Sequence, residues 1–320
     1  MAAFVLRRAA ISIVMLIAAS VLIFVVLRLV PGDPVITRLG ATAGSNPEAI
    51  DRLRHEIGLD DSIVQQYFAW LGGLAHGDFG RSYFSQFSVT DLIGRRIEPT
   101  LELTVAAITL SLLIAVPAGV LCSLRPGGAF DRAVTTLSTA GMALPQFLVG
   151  ILLIAIVAVR LQWLPARGYV PFVDDPVENV RHMILPSLTL AFAAAPLILR
   201  FVRASMIEQL TASYIRTAEG KGVPRWRVIV VHALRNALIP GLTMVGMIVG
   251  YTLGGVVIIE YVFGVPGLGS LVVESVFKRD YAILQSVVLL LSAMFIVTTL
   301  VVDVLYGVLD PRLRPGASHG

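Results

Sequence analysis

Few residues of this chain have a type and spacing that could do chemistry. Gly220, Lys221 and Gly222 suggest a phosphate-binding turn, in which glycine amides cradle a phosphate and a lysine neutralises it, but no upstream glycine and no following Ser or Thr complete that pattern. The glycine-rich stretch GVPGLGS, Gly264 to Ser270, has no lysine at all and reads as a turn. His55, His76, His182, His232 and His319 lack the short spacing of metal ligands, and Met142, Met183, Met244, Met247 and Met294 are scattered. Cys122, the only cysteine, lies in an apolar run, so neither an internal disulfide nor a cysteine-based metal site is available. We expect no catalytic residue, no bound cofactor and no metal ligand.

The elements that hold these residues are predominantly apolar. Of 320 residues 56% are hydrophobic and 14% charged, and the mean hydropathy is +0.83. A soluble globule of this size carries about 25% charged residues, so the chain is expected to be an integral membrane protein. Stretches free of charge and long enough to cross a hydrocarbon layer, about 20 residues, run from Ala9 to Leu27, Leu103 to Leu124, Ala133 to Val159, Met183 to Leu199, Asn236 to Ile259 and Tyr281 to Val302. The fold class is therefore all-α with six transmembrane helices. The first stretch is longer than a signal-peptide core and no clear cleavage site follows it, so it reads as an uncleaved span.

Lys and Arg fix the orientation. Thirteen lie in the N-terminus, the 125–133 loop, the 200–236 loop and the C-terminus, against five in the opposite short loops. By the positive-inside rule both termini and the 200–236 loop are cytoplasmic, and the 31–99 segment faces outward. In that segment Asn46 can cap a helix carrying Ile50, Leu53 and Ile57, and Ser62 a second one carrying Ile63, Val64, Tyr67, Phe68 and Leu71. Both are expected to pack on their own membrane domain.

Within the spans, Pro117, Pro145, Pro186 and Pro196 can kink helices. Gly246, Gly250 and Gly254 form a smooth ridge on the fifth span, suited to close helix packing or, alternatively, to lining a path together with Thr243, Thr252 and Ser292. Arg28, Glu260 and Asp303 sit near span ends, where a charge can reach headgroups. No relay of ionisable groups crosses the apolar centres, which disfavours a proton-coupled or stand-alone transporter or channel. The lack of a nucleophile or metal constellation disfavours an intramembrane enzyme.

The 200–236 loop carries seven basic residues against Glu208 and Glu219, a net charge of +5. Orientation and contact with anionic lipid explain the charge, but not the order of residues in YIRTAEGKGVPRWRVIVVHALRNALIP, 214–240. Tyr214 to Glu219 reads as a short helix, Gly220 to Pro224 as a sharp break, and Trp226 to Leu238 as a second helix. The result is a rigid knob.

This segment resembles the EAA loop of permease subunits of binding-protein-dependent ATP-binding cassette importers. Arg216, Thr217 and Ala218 stand at the Glu-Ala-Ala positions, Gly222 at the motif glycine and Pro240 at its later proline. Arg216 and Arg235 depart from the general motif, and YxRTAxxKG with HALRNALIP is similar to the dipeptide, oligopeptide and nickel permease group. RLVPGDPV, IGLDD, QQYFAWL, GDFGRS and LDPRLR extend the likeness over nearly the whole chain.

The resemblance implies a type I importer permease fold with a helical extracytoplasmic insertion: residues 1–30, an insertion at 31–99, and a core at 100–320. It implies a bacterial cytoplasmic membrane location and a knob, with Tyr214, Lys221 and Trp226 among its contacts, docked on an ATPase subunit that binds ATP and Mg. It also implies a homologous second permease, two ATPases, a solute-binding protein and no nucleic acid. Short peptides are the expected substrate, because no ligand set for nickel is evident; nickel or another small solute is the alternative.

Overall fold

The computed structural model describes residues 2–29, 47–56, 59–238 and 241–309. Asn46, Ile57, Pro240 and the 310–314 motif lie outside them. Among the described residues the architecture is helical: α1 (Ala2–Leu29), α2 (Pro47–Glu56), α3 (Ile63–Ala75), α4 (Val89–Leu124), α5 (Ala129–Met142), α6 (Gln146–Leu153), α7 (Pro176–Thr211), α8 (Ser213–Gly220), α9 (225–238), α10 (Gly241–Phe263), α11 (Leu268–Lys278) and α12 (Tyr281–Leu309). Helix α6 runs on as a π-helix, Ile154–Arg160, and α9 contains another, Val228–Leu234.

Among the described residues five helices are long and apolar enough to cross a membrane, within α1, α4, α7, α10 and α12. The third expected span, Ala133 to Val159, is not one helix. It breaks at Ala143–Pro145, and the two parts meet at 101°, so a sixth crossing requires the bent pair to act as one span. Pro145 has no amide to donate and disfavours helical backbone in the residue before it, which ends α5 and restarts the chain as α6. Of the expected fifth span, Asn236 to Leu238 lie in α9 and Gly241 to Ile259 in α10, on either side of residues 239–240, which are outside the described residues. Helices α4 and α7 each have 36 residues, about 54 Å at the α-helical rise, so both project beyond a hydrocarbon layer of about 30 Å.

Helix α7 is the central strut, packed along α4 and touching α6, α9 and α10, whereas α1 and α12 pair with each other. Arg8 and Asp303 close that pair at one end, 3.0 Å apart. At the other end α3 docks on α1. Ser62 and Gln65 form the capping box that starts α3. Trp70 stacks on Phe24 at 5.9 Å, Tyr67 meets Phe24 edge-on, and Arg28 Nη2 donates to Gln66 Oε1 at 2.8 Å. Arg28 thus holds α3 to α1. The GDFGRS loop is seated on α12, where Ser82 Oγ donates to Asp280 Oδ2 (2.6 Å) and Ser286 Oγ to Phe79 O (3.1 Å).

Glu260 does not reach headgroups. It is fully buried near the end of α10: Thr100 Oγ1 donates to its Oε1 at 2.6 Å and the Ser270 amide to its Oε2 at 3.0 Å. The same Thr100 oxygen accepts from the Leu268 amide at 2.8 Å. The carboxylate therefore caps the amides that begin α11, and GVPGLGS wraps around it. A Cβ at Gly267 would strike Glu260, and one at Gly269 the Val257 backbone. These two glycines are required by close approach.

Candidate functional site

Helix α8 ends in a glycine turn. The Gly222 amide donates to Glu219 O and the Val223 amide to Ala218 O, while Gly222 takes φ +76°, the left-handed conformation that ends many helices. Pro224 then starts α9 in an extended conformation that only the next residue converts to helix. The inner sides of α8 and α9 contribute Ile215, Val228, Ala233 and Ala237 to one core cluster with Val202 and Met206 of α7. Two polar clasps fix the pair: Asn236 Nδ2 donates to Tyr214 Oη at 3.1 Å, and Ser205 Oγ to Ala237 O at 2.9 Å.

The outer side is solvated and basic. Arg216, Thr217, Lys221, Gly222, Arg225, Trp226 and Arg227 are exposed, Ala218 is half-buried, and Trp226 lies under the Arg227 guanidinium. A buried aromatic would be core; Trp226, 60% exposed on a rigid turn, has area free for a partner. Beneath the knob, Arg203 of α7 forms a bidentate pair with the buried Asp131 of α5, whose Oδ2 also accepts from the Gly127 amide at 2.8 Å. Nothing in the sequence marks this pair, because Asp131 looks like an ordinary first-turn acid.

The remaining candidates lie apart from the knob. Gly250 packs beneath Phe295 and Gly246 faces Val302, both on α12, while no atom lies within 4 Å of a Cβ at Gly254. Thr252 is buried and donates to Ile248 O, and Ser292 donates to Val288 O. The side chain of Thr243 lies outside the described residues. Among the described residues no three His, Cys, Asp or Glu side chains gather as metal ligands.

Residues 115–315 match the family described as "Binding-protein-dependent transport system inner membrane component", and residues 1–104 match "Binding-prot-dependent transport system membrane comp, N-term". The chain is 38% identical over 314 residues to the "Probable peptide ABC transporter permease protein y4tP" of Sinorhizobium fredii, covering 98% of this chain and 100% of that one. It is also 38% identical to the "Dipeptide transport system permease protein DppB" of Escherichia coli, over 97% of this chain and 98% of that one. Among solved structures, an inward-facing MetNI methionine ABC transporter shares the fold, with a TM-score of 0.55 at 19% identity, over 68% of this chain and 96% of that chain. The chain belongs to the inner-membrane permease components of binding-protein-dependent ABC transport systems.

Proposed function

We propose that this permease forms half of a translocation path for short peptides, with a homologous permease as the other half, and that the α8–α9 knob receives the stroke of an ATPase subunit. In this reading two ATPases bind the ATP and Mg, the chain itself is not catalytic, and a solute-binding protein delivers peptide to the outer face, the side of the 31–99 insertion. Both termini and the knob are cytoplasmic. The observation that carries the reading is the knob itself: a glycine-ended helix pair, rigidly clasped to α7, with Trp226 and four cations, Arg216, Lys221, Arg225 and Arg227, turned outward. A push on it would pass along α7, through Arg203 and Asp131, to the bent α5–α6 pair. The peptide substrate is supported by what the relatives are named for. Uptake of labelled di- to pentapeptides and of nickel, in cells with and without the gene, tests it. Loss of peptide uptake is expected; loss of nickel uptake alone would refute the assignment.

A further inference from the structure

Helices α4 and α7 run side by side, and between them lies a cavity of about 440 Å³. Its rim is acidic. Glu102 Oε2 accepts from Tyr169 Oη at 2.9 Å and from Asn179 Nδ2 at 3.1 Å, and Asn179 is buried. Burial, reinforced by the Glu102 carboxylate, holds the Tyr169 phenol well above its usual range, so it remains a donor and Glu102 the acceptor. Glu98 and Asp174 add negative potential around Tyr169. Arg181, the basic residue nearest in sequence to Asn179, is paired with Glu178 at 3.0 Å.

The wall below the rim is apolar, formed by Val105, Met183 and Ile184, and ends at Ser187. Ser187 is 1% exposed and its Oγ has no hydrogen-bond partner among the described residues. Its neighbours behave differently: Thr104, Ser111 and Thr189 each donate to the carbonyl one turn back. A hydroxyl left unsatisfied at membrane depth is costly, so its retention points to a ligand that completes it.

We propose that this cavity is a subsite for the amino-terminal end of a passing peptide, with the ammonium on Glu102, the apolar side chain along Val105, Met183 and Ile184, and a backbone carbonyl oxygen further along the peptide accepting from Ser187 Oγ. The inference rests on the peptide-import reading. The Glu102 carboxylate, held by two neutral donors, has no ion-pair partner among the described residues, and a primary ammonium beside an apolar group supplies both halves of the complement. A phosphatidylethanolamine headgroup offers an ammonium too, but a bulky phosphate accompanies it toward the same acidic rim.

The test uses the purified complex carrying Thr109→Cys, on the exposed cavity wall two turns below Glu102, with Cys122→Ala. An ammonium-bearing methanethiosulfonate should modify the cysteine about tenfold faster than the sulfonate-bearing one, and Glu102→Gln should abolish the preference. A leucine dipeptide added without binding protein should slow the reaction, and its N-acetyl form should not. Ser187→Ala, which deletes an unpartnered hydroxyl and leaves assembly intact, should weaken that protection several-fold. Equal reagent rates, an unreactive cysteine, equal protection by the acetylated peptide, or protection that appears only with phosphatidylethanolamine would each overturn the subsite. If cells import no peptide, the import reading fails, and that result is separate from the charge preference at Thr109→Cys.

Discussion

Arg203 on α7 grips Asp131 on α5 with two hydrogen bonds, the one from Nη2 to Oδ2 being 2.7 Å long, and Asp131 is 3% exposed. The strut that bears the knob is thereby tied to the first half of the bent pair.

Removing one partner leaves the other charge unpaired, whereas replacing both with apolar residues is close to neutral. Arg203→Leu or Asp131→Leu is expected to destabilise the purified complex by about 3 kcal/mol, and the double variant to recover most of the loss. Thermal unfolding of the four proteins measures this. Additive losses would show that the pair does not act as a unit.

Gly222 tests the turn itself. With φ +76° and no atom within 4 Å of a Cβ, a side chain fits there but few adopt the backbone. Gly222→Asn should be tolerated. Gly222→Val should cost about 1–2 kcal/mol locally, so that transport and substrate-stimulated ATP hydrolysis fall together while membrane insertion is unchanged. Full coupling in the valine variant would mean that the turn's shape is incidental.

Glu260→Ala strips the cap from α11 and frees Thr100, at a cost of about 2 kcal/mol. Gly269→Ala should be at least as damaging, because its Cβ meets the Val257 backbone. Both should lower the melting temperature of the complex. An unchanged melting temperature in both would remove this cap from the account of the fold.

Local signals explain what could be read from the sequence. Ser62 and Gln65 announce a helix start from three residues apart, and a glycine followed by Pro224 announces the turn at Gly222. The charge-free run from Ala133 to Val159 hid its break, because hydropathy measures length without direction and only Pro145 marked the bend. Glu260 looked like an interfacial charge because its partner Thr100 is 160 positions away, and Asp131 lies 72 from Arg203. Pairings at such separations depend on how the helices pack, which no periodicity encodes. The unpartnered Ser187 is invisible in sequence for the same reason.

Orientation is checked by labelling. In a background lacking Cys122, cysteines replacing His76 and Lys221, both exposed, should react with an impermeant thiol reagent from opposite faces of the membrane. Reaction of both from one face would overturn the assignment of the spans.

The central claim, that the α8–α9 knob docks on an ATPase, is tested most directly by placing a photo-crosslinking amino acid at Trp226 in the assembled transporter. The account predicts a covalent adduct with the ATPase subunit, absent when the same group replaces Val159 at the far end of the bent pair. Adducts with lipid alone from Trp226, in a complex that still hydrolyses ATP, would contradict it.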